Sequence, residues 1–142
     1  MYSLFLILHS WLRWAVLAAG VVAVFRGGVD NHPAGKWYTA LLDAQMLIGL
    51  LLYFVLSPLT AAALEDFGAA MRAPQLRFFA VEHVFGMVVA ITLAHVGRAR
   101  VRKAPPERRA RTAAIFYGLS LVALLASIPW PGLPAGRPLF RM

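Results

Sequence analysis

Residues 2–25 read YSLFLILHSWLRWAVLAAGVVAVF and carry a single charge, Arg13. A helix rises 1.5 Å per residue, so about 20 such residues cross the ~30 Å hydrocarbon core of a bilayer. Three further stretches have the same character. Residues 37–56 contain one charge, Asp43; residues 78–97 contain one, Glu82; residues 112–128 contain none. A segment that crosses lipid alone must satisfy its own backbone hydrogen bonds, and a helix does so. The sequence therefore predicts an all-α, single-domain protein over residues 1–142. Four transmembrane helices, at about 2–25, 37–56, 78–97 and 112–128, form a bundle joined by short loops.

Composition agrees. The chain is 61% hydrophobic and 14% charged, against roughly 25% charged in soluble domains. The first segment lacks a basic leader and is longer in its apolar part than a signal peptide, so it reads as a span. Cysteine is absent, which excludes disulfides, iron–sulfur ligation and c-type haem attachment.

The basic residues set the expected orientation. Arg26, Lys36, Arg98, Arg100, Arg102, Lys103, Arg108, Arg109 and Arg111 fall in the first and third loops. Cytoplasmic loops are enriched in Lys and Arg, so both termini are expected outside the cytoplasm, which is the periplasm if the membrane is a bacterial inner membrane. The net charge of +8 is thus a topology signal, with membrane lipid headgroups as its partners and no role in binding nucleic acid. Residues 26–36 are rich in glycine and proline and predict a tight turn. In the longer loop, 57–77, Thr60 is a candidate cap, and Leu64, Phe67 and Met71 repeat at helical spacing. A short surface helix is expected there. Trp11, Trp37 and Trp130 sit where interfacial anchors belong, while Trp14 looks too deep. After Pro129-Trp130-Pro131-Gly132 the tail is expected to be extended.

His9 and His83 each lie about six residues inside the same end of an apolar segment, the first and the third. In an alternating topology those segments run in the same direction, so the imidazoles share one layer of the bilayer. Two imidazoles at matched depth in a bundle are what a metal or haem iron needs as axial ligands. The plainer reading is a pair of polar side chains satisfied by headgroups, water or neighbouring helices. Arg13, four residues from His9, shares its helix face and is a candidate partner for a haem propionate. It is also a candidate partner of Glu82 in a structural ion pair. Otherwise Glu82 orients a neighbour or handles a proton. Met87 lies one turn below His83, and Gly20, Gly49, Gly86 and Gly118 allow close helix approach or room for a planar macrocycle. Near the other membrane face, His95 and Asp43 suit a hydrogen-bonded pair. A second haem there would need His95 with His32, but twelve residues of helix turn His95 about 120° away from His83. One haem is favoured over two.

The segments HSWLRW (9–14), FFAVEHVFGM (78–87), AHVGRAR (94–100) and AAIFYGLSL with IPW in the fourth helix resemble a group of small four-helix bacterial membrane proteins labelled cytochrome b-like. The resemblance spans about residues 2–130. It implies a b-type haem on His9 and His83, with His95 a less certain ligand. The role implied is one-electron transfer as a subunit of a redox assembly rather than as a stand-alone enzyme. Quinone, a periplasmic cytochrome or a larger membrane complex are the implied partners. Unlike the better-known b-type cytochromes, the second and fourth helices contain no histidine. Two other classes compete: a cofactor-free accessory subunit of a membrane complex, and, more weakly, a small transporter using Arg13 and Asp43.

Overall fold

The computed structural model describes residues 1–30 and 32–140, and among these residues all regular structure is helical. The long helices are α1 (Tyr2–Arg26), α2 (Ala34–Leu51), α6 (His83–Lys103) and α7 (Pro106–Ala126). Between α2 and α6 come three short helices, α3 (Pro58–Glu65), α4 (Phe67–Arg72) and α5 (Pro74–Arg77). Wider π turns, Leu52–Leu56 and Phe78–Glu82, continue α2 and precede α6. Four continuous spans result, of 25, 23, 30 and 21 residues, each long and apolar enough to cross a membrane. Leu47, Phe54, Phe85 and Val122 are largely exposed on them. Such a belt is unfavourable in water and suits lipid. The chain is thus an all-α, multi-pass membrane protein by the length and composition of its helices.

The helices extend beyond the expected boundaries where basic residues follow the apolar ones. α6 runs on through Arg98, Arg100, Arg102 and Lys103, and α7 starts at Pro106 rather than near residue 112. Arg and Lys are good helix formers, and proline fits the first helical position because its missing N–H has no partner there anyway. The order around the bundle is α1, α2, α6, α7, closing back on α1, with the most extensive packing between α6 and α7.

At the basic end the interior is tight. Ala23, Ala90, Ala94 and Ala113 are fully buried, with the Tyr38 and Tyr117 rings edge-on between them at 5.9 Å. Ser120 Oγ donates to the Ala90 carbonyl (2.7 Å), so the 2.8 Å contact with Tyr38 is donated by the tyrosine hydroxyl. One chain of hydrogen bonds thereby ties α2, α7 and α6 together.

The loop expectations need three corrections. Residues 57–77 form three short helices rather than one, because Asp66 and Pro74 each restart the chain. Asp66 caps α4 through Ala69 N (2.8 Å), and Pro74 opens α5. Ser57, not Thr60, caps α3. It accepts from Thr60 N, while Thr60 Oγ1 turns back to the Tyr53 carbonyl (2.6 Å). The tail is not extended either. It turns at Gly132, where φ is +92°, and Arg137 N bonds the Pro129 carbonyl (3.0 Å), folding residues 129–140 back over the bundle.

Candidate functional site

α1 and α6 bring the His9 and His83 rings together edge-on, with ring centres 6.2 Å apart and ring planes at 70°. The matched depth read from sequence is therefore a direct juxtaposition. Metal–imidazole bonds are about 2.0–2.1 Å, so with each ring centre roughly 1 Å behind its nitrogen, two imidazoles flanking one metal ion have centres about 6 Å apart.

The π turn Phe78–Glu82 helps to aim His83. The backbone N–H of His83 bonds back five residues to the Phe78 carbonyl, so one extra residue is accommodated just before it. Glu82 then points outward and pairs with Arg77 (2.7 Å), while His83 turns inward. That replaces the expected Glu82–Arg13 pair: five residues along one helix end, Arg77 is within reach, whereas Arg13 lies on another helix.

His83 is held from α7. Its Nδ1 lies 2.7 Å from the carbonyl of Ser127, and a carbonyl only accepts, so Nδ1 carries the hydrogen and Nε2 keeps its lone pair. Ser127 caps the C-terminus of α7, where the last carbonyls have no helical partner. His83 thus satisfies a group the helix leaves open. His9 is differently placed. Its Nδ1 is buried without a hydrogen-bond partner among the described residues. Its backbone carbonyl accepts from Gln45 Nε2 (2.9 Å), and Gln45 Oε1 is likewise buried and unpartnered. An imidazole nitrogen and an amide oxygen on one cleft wall are an uncommon concentration of unsatisfied polar atoms.

The cleft has a cavity of about 150 Å³, and its wall includes His9, Arg13, Gln45, Gly49, His83, Met87 and Arg137. At Gly49 an added Cβ would sit 3.3 Å from His9 Cε1, so glycine leaves the ring its room. The folded tail forms part of the wall. Arg13 Nη2 (2.6 Å) and Trp14 Nε1 (3.3 Å) both donate to the Leu139 carbonyl, and Phe140 stacks on Trp14 at 5.3 Å. The depth of Trp14 is thereby explained: its polar edge binds the tail instead of an interface. Arg137 places its guanidinium over Phe79 at 5.1 Å.

The other expected site residues do not line this cleft. Glu82 is exposed on the outer side of its helix. A Cβ at Gly86 would overlap Ser127 Oγ, so this glycine serves the α6–α7 contact and leaves no room for a macrocycle. His95 Nε2 instead bonds Asp43 Oδ1 (2.8 Å), the pair expected from sequence, and both side chains are about half exposed. His32 Nδ1 accepts from Ala34 N (3.2 Å) at the start of α2 and does not meet His95. Sequence reasoning missed Gln45, Ser127, Arg137 and Tyr53, the last of which also lines the cleft. Gln45 was legible as a polar residue inside an apolar span; the other three carried no such signal.

Among the described residues, no three His, Cys, Asp or Glu side chains gather as a metal site. The donor set is two imidazoles, enough for a metal whose remaining positions are filled by a macrocycle and too few for a bare structural ion. Its donors and cations fit a haem. Its cavity is narrower than the roughly 300–1,000 Å³ of ordinary ligand sites, so a macrocycle requires the apolar wall to part. No protein-family model, curated protein or solved structure matches the chain.

Proposed function

We propose that this chain is an inner-membrane b-type haem protein that passes single electrons within a redox assembly. The observation that carries the reading is the 6.2 Å approach of His9 and His83 on two different spans, with the His83 tautomer fixed by Ser127. A bound haem supplies a one-electron iron couple. The protein's part is to hold it. His9 and His83 would be the ligands, each through a neutral imidazole. The Ser127 carbonyl orients the His83 ring, as hydrogen-bond partners of ligating histidines commonly do. Arg13 and Arg137 give the cleft cations suited to propionates, and Met87 and its apolar neighbours exclude water. With His95 engaged by Asp43 and His32 at a helix start, one haem per chain is the favoured count. A membrane quinol or a periplasmic cytochrome suits the role of electron donor.

The second reading is a cofactor-free accessory subunit, which the small cavity favours. The visible spectrum and haem-to-protein ratio of the purified chain in detergent separate the two. The haem reading expects a ratio near one, a sharp reduced α-band, and slow carbon monoxide binding because His9 and His83 would both hold the iron. His9→Ala and His83→Ala should each abolish or convert that spectrum; a well-folded wild type that stays colourless after incubation with haem under reducing and oxidising conditions would sink it. Orientation is tested separately. Reporter fusions at residue 142 and in the 57–77 loop should read periplasmic, and one at Pro105 cytoplasmic.

A further inference from the structure

At the opposite end of the bundle, a second hollow lies between α6 and α7. It measures about 680 Å³ and combines Arg100, Lys103 and Arg108 with a wall that includes Val96 and Phe116. Other cations of this end have partners: Arg109 pairs with Asp30 and bonds the Ala104 carbonyl, and Arg98 reaches Thr39 (3.5 Å). By contrast, no hydrogen bond or ion pair engages the side chains of Arg100, Lys103 or Arg108 among the described residues. Three exposed cations therefore converge on one groove whose lining holds no carboxylate; Glu107, beside Arg108 in the chain, is not part of it.

Position adds to charge. The groove sits where the apolar part of two spans gives way to their basic ends, a position that in a bilayer would set its apolar wall at acyl-chain depth and its cations at headgroup depth. Arg presents a fork that matches phosphate oxygens, and Lys adds a compact charge. Basic pockets between membrane helices bind anionic headgroups by this logic. We propose that this groove is a binding site for the phosphate headgroup of an anionic phospholipid, with an acyl chain along Val96 and Phe116. The proposal is independent of what the His9–His83 cleft holds.

The full-length chain, reconstituted in vesicles of equimolar phosphatidylglycerol and phosphatidylcholine and released into mild detergent, should retain phosphatidylglycerol selectively by native mass spectrometry. A cation near an anionic surface is worth roughly a fivefold gain in association, so three together are worth about a hundredfold. The variant Arg100→Gln/Lys103→Gln/Arg108→Gln should lose the retained lipid by about that factor. Arg26→Gln/Arg102→Gln/Arg111→Gln removes the same charge away from the groove and should keep it. Equal loss in both variants, or no preference for phosphatidylglycerol, overturns the site. Should the groove variant not fold, the wild type decides: inorganic phosphate at matched concentration should fail to displace the lipid. Displacement by phosphate alone would make the groove a free-anion site and overturn the lipid assignment.

Discussion

The basic end of the bundle and the end that carries the termini use the same helices in opposite ways. Around Tyr38, Tyr117 and the buried alanines, polar hydrogens are spoken for and small side chains let the helices close. Around His9 and His83 a cavity persists, and an imidazole nitrogen and an amide oxygen are buried without partners. Unsatisfied buried polar atoms are costly, so natural proteins concentrate them where something else is bound. One half is closed by packing and hydrogen bonds, and the other keeps a cavity.

That contrast can be broken by substitution. The largest effect is expected for Tyr38→Ala, which leaves a cavity in the closed half and should cost about 3–5 kcal/mol. Tyr53→Ala, in the open half, should cost only about 1 kcal/mol, since it removes a half-buried ring and one bond to the Ala80 carbonyl. Reversible unfolding in mixed micelles measures both, and equal losses would erase the distinction.

Ser120→Ala comes next. It strips the acceptor from the buried Tyr38 hydroxyl and should destabilise by about 1–3 kcal/mol. Gln45→Leu in the open half sacrifices the bond to the His9 carbonyl but removes an unpartnered oxygen, so it should fall within about 0.5 kcal/mol of wild type. If the haem reading holds, Gln45→Leu should nevertheless shift the haem spectrum or midpoint potential. A large stability loss would instead make Gln45 part of the scaffold.

Smaller than the loss at Ser120 is that expected for Phe140→Ala. An aromatic pair is worth about 0.5–1.5 kcal/mol, and partial exposure of Phe140 puts the effect at the low end. Changed tryptophan emission from Trp14 should report it before stability does. Least of all is Asp43→Asn. Its contact with His95 is half exposed and worth about 0–1 kcal/mol. Under the haem reading this variant should keep its haem, as should His95→Ala; a haem-to-protein ratio near two, halved cleanly by His95→Ala in a well-folded protein, would make His95 a ligand after all.

Much of the fold was legible because lipid imposes length and polarity on each segment separately. The four spans, the shared layer of His9 and His83, and the Asp43–His95 pair all follow from spacing along single helices. Glu82 shows the limit of that reasoning. A uniform helix leaves both Glu82 and His83 as candidates for the interior, and the π turn that ends at Glu82 favours the histidine. The folded tail shows a second limit, since Pro129 and Gly132 mark where a helix stops but not where the chain goes next.

The sequence by itself determined four apolar helices, the depth of their polar residues, and the gathering of basic residues toward one end. Those are properties of periodicity and composition, which act within a segment. Only the tertiary structure decided which polar groups meet: His83 with the Ser127 carbonyl, and Arg13 and Trp14 with the Leu139 carbonyl. The physical reason is that backbone carbonyls at helix ends and in folded tails are common to every residue type. Nothing in the letter at position 127 or 139 announces that its carbonyl is free to accept. That is settled when the helices pack.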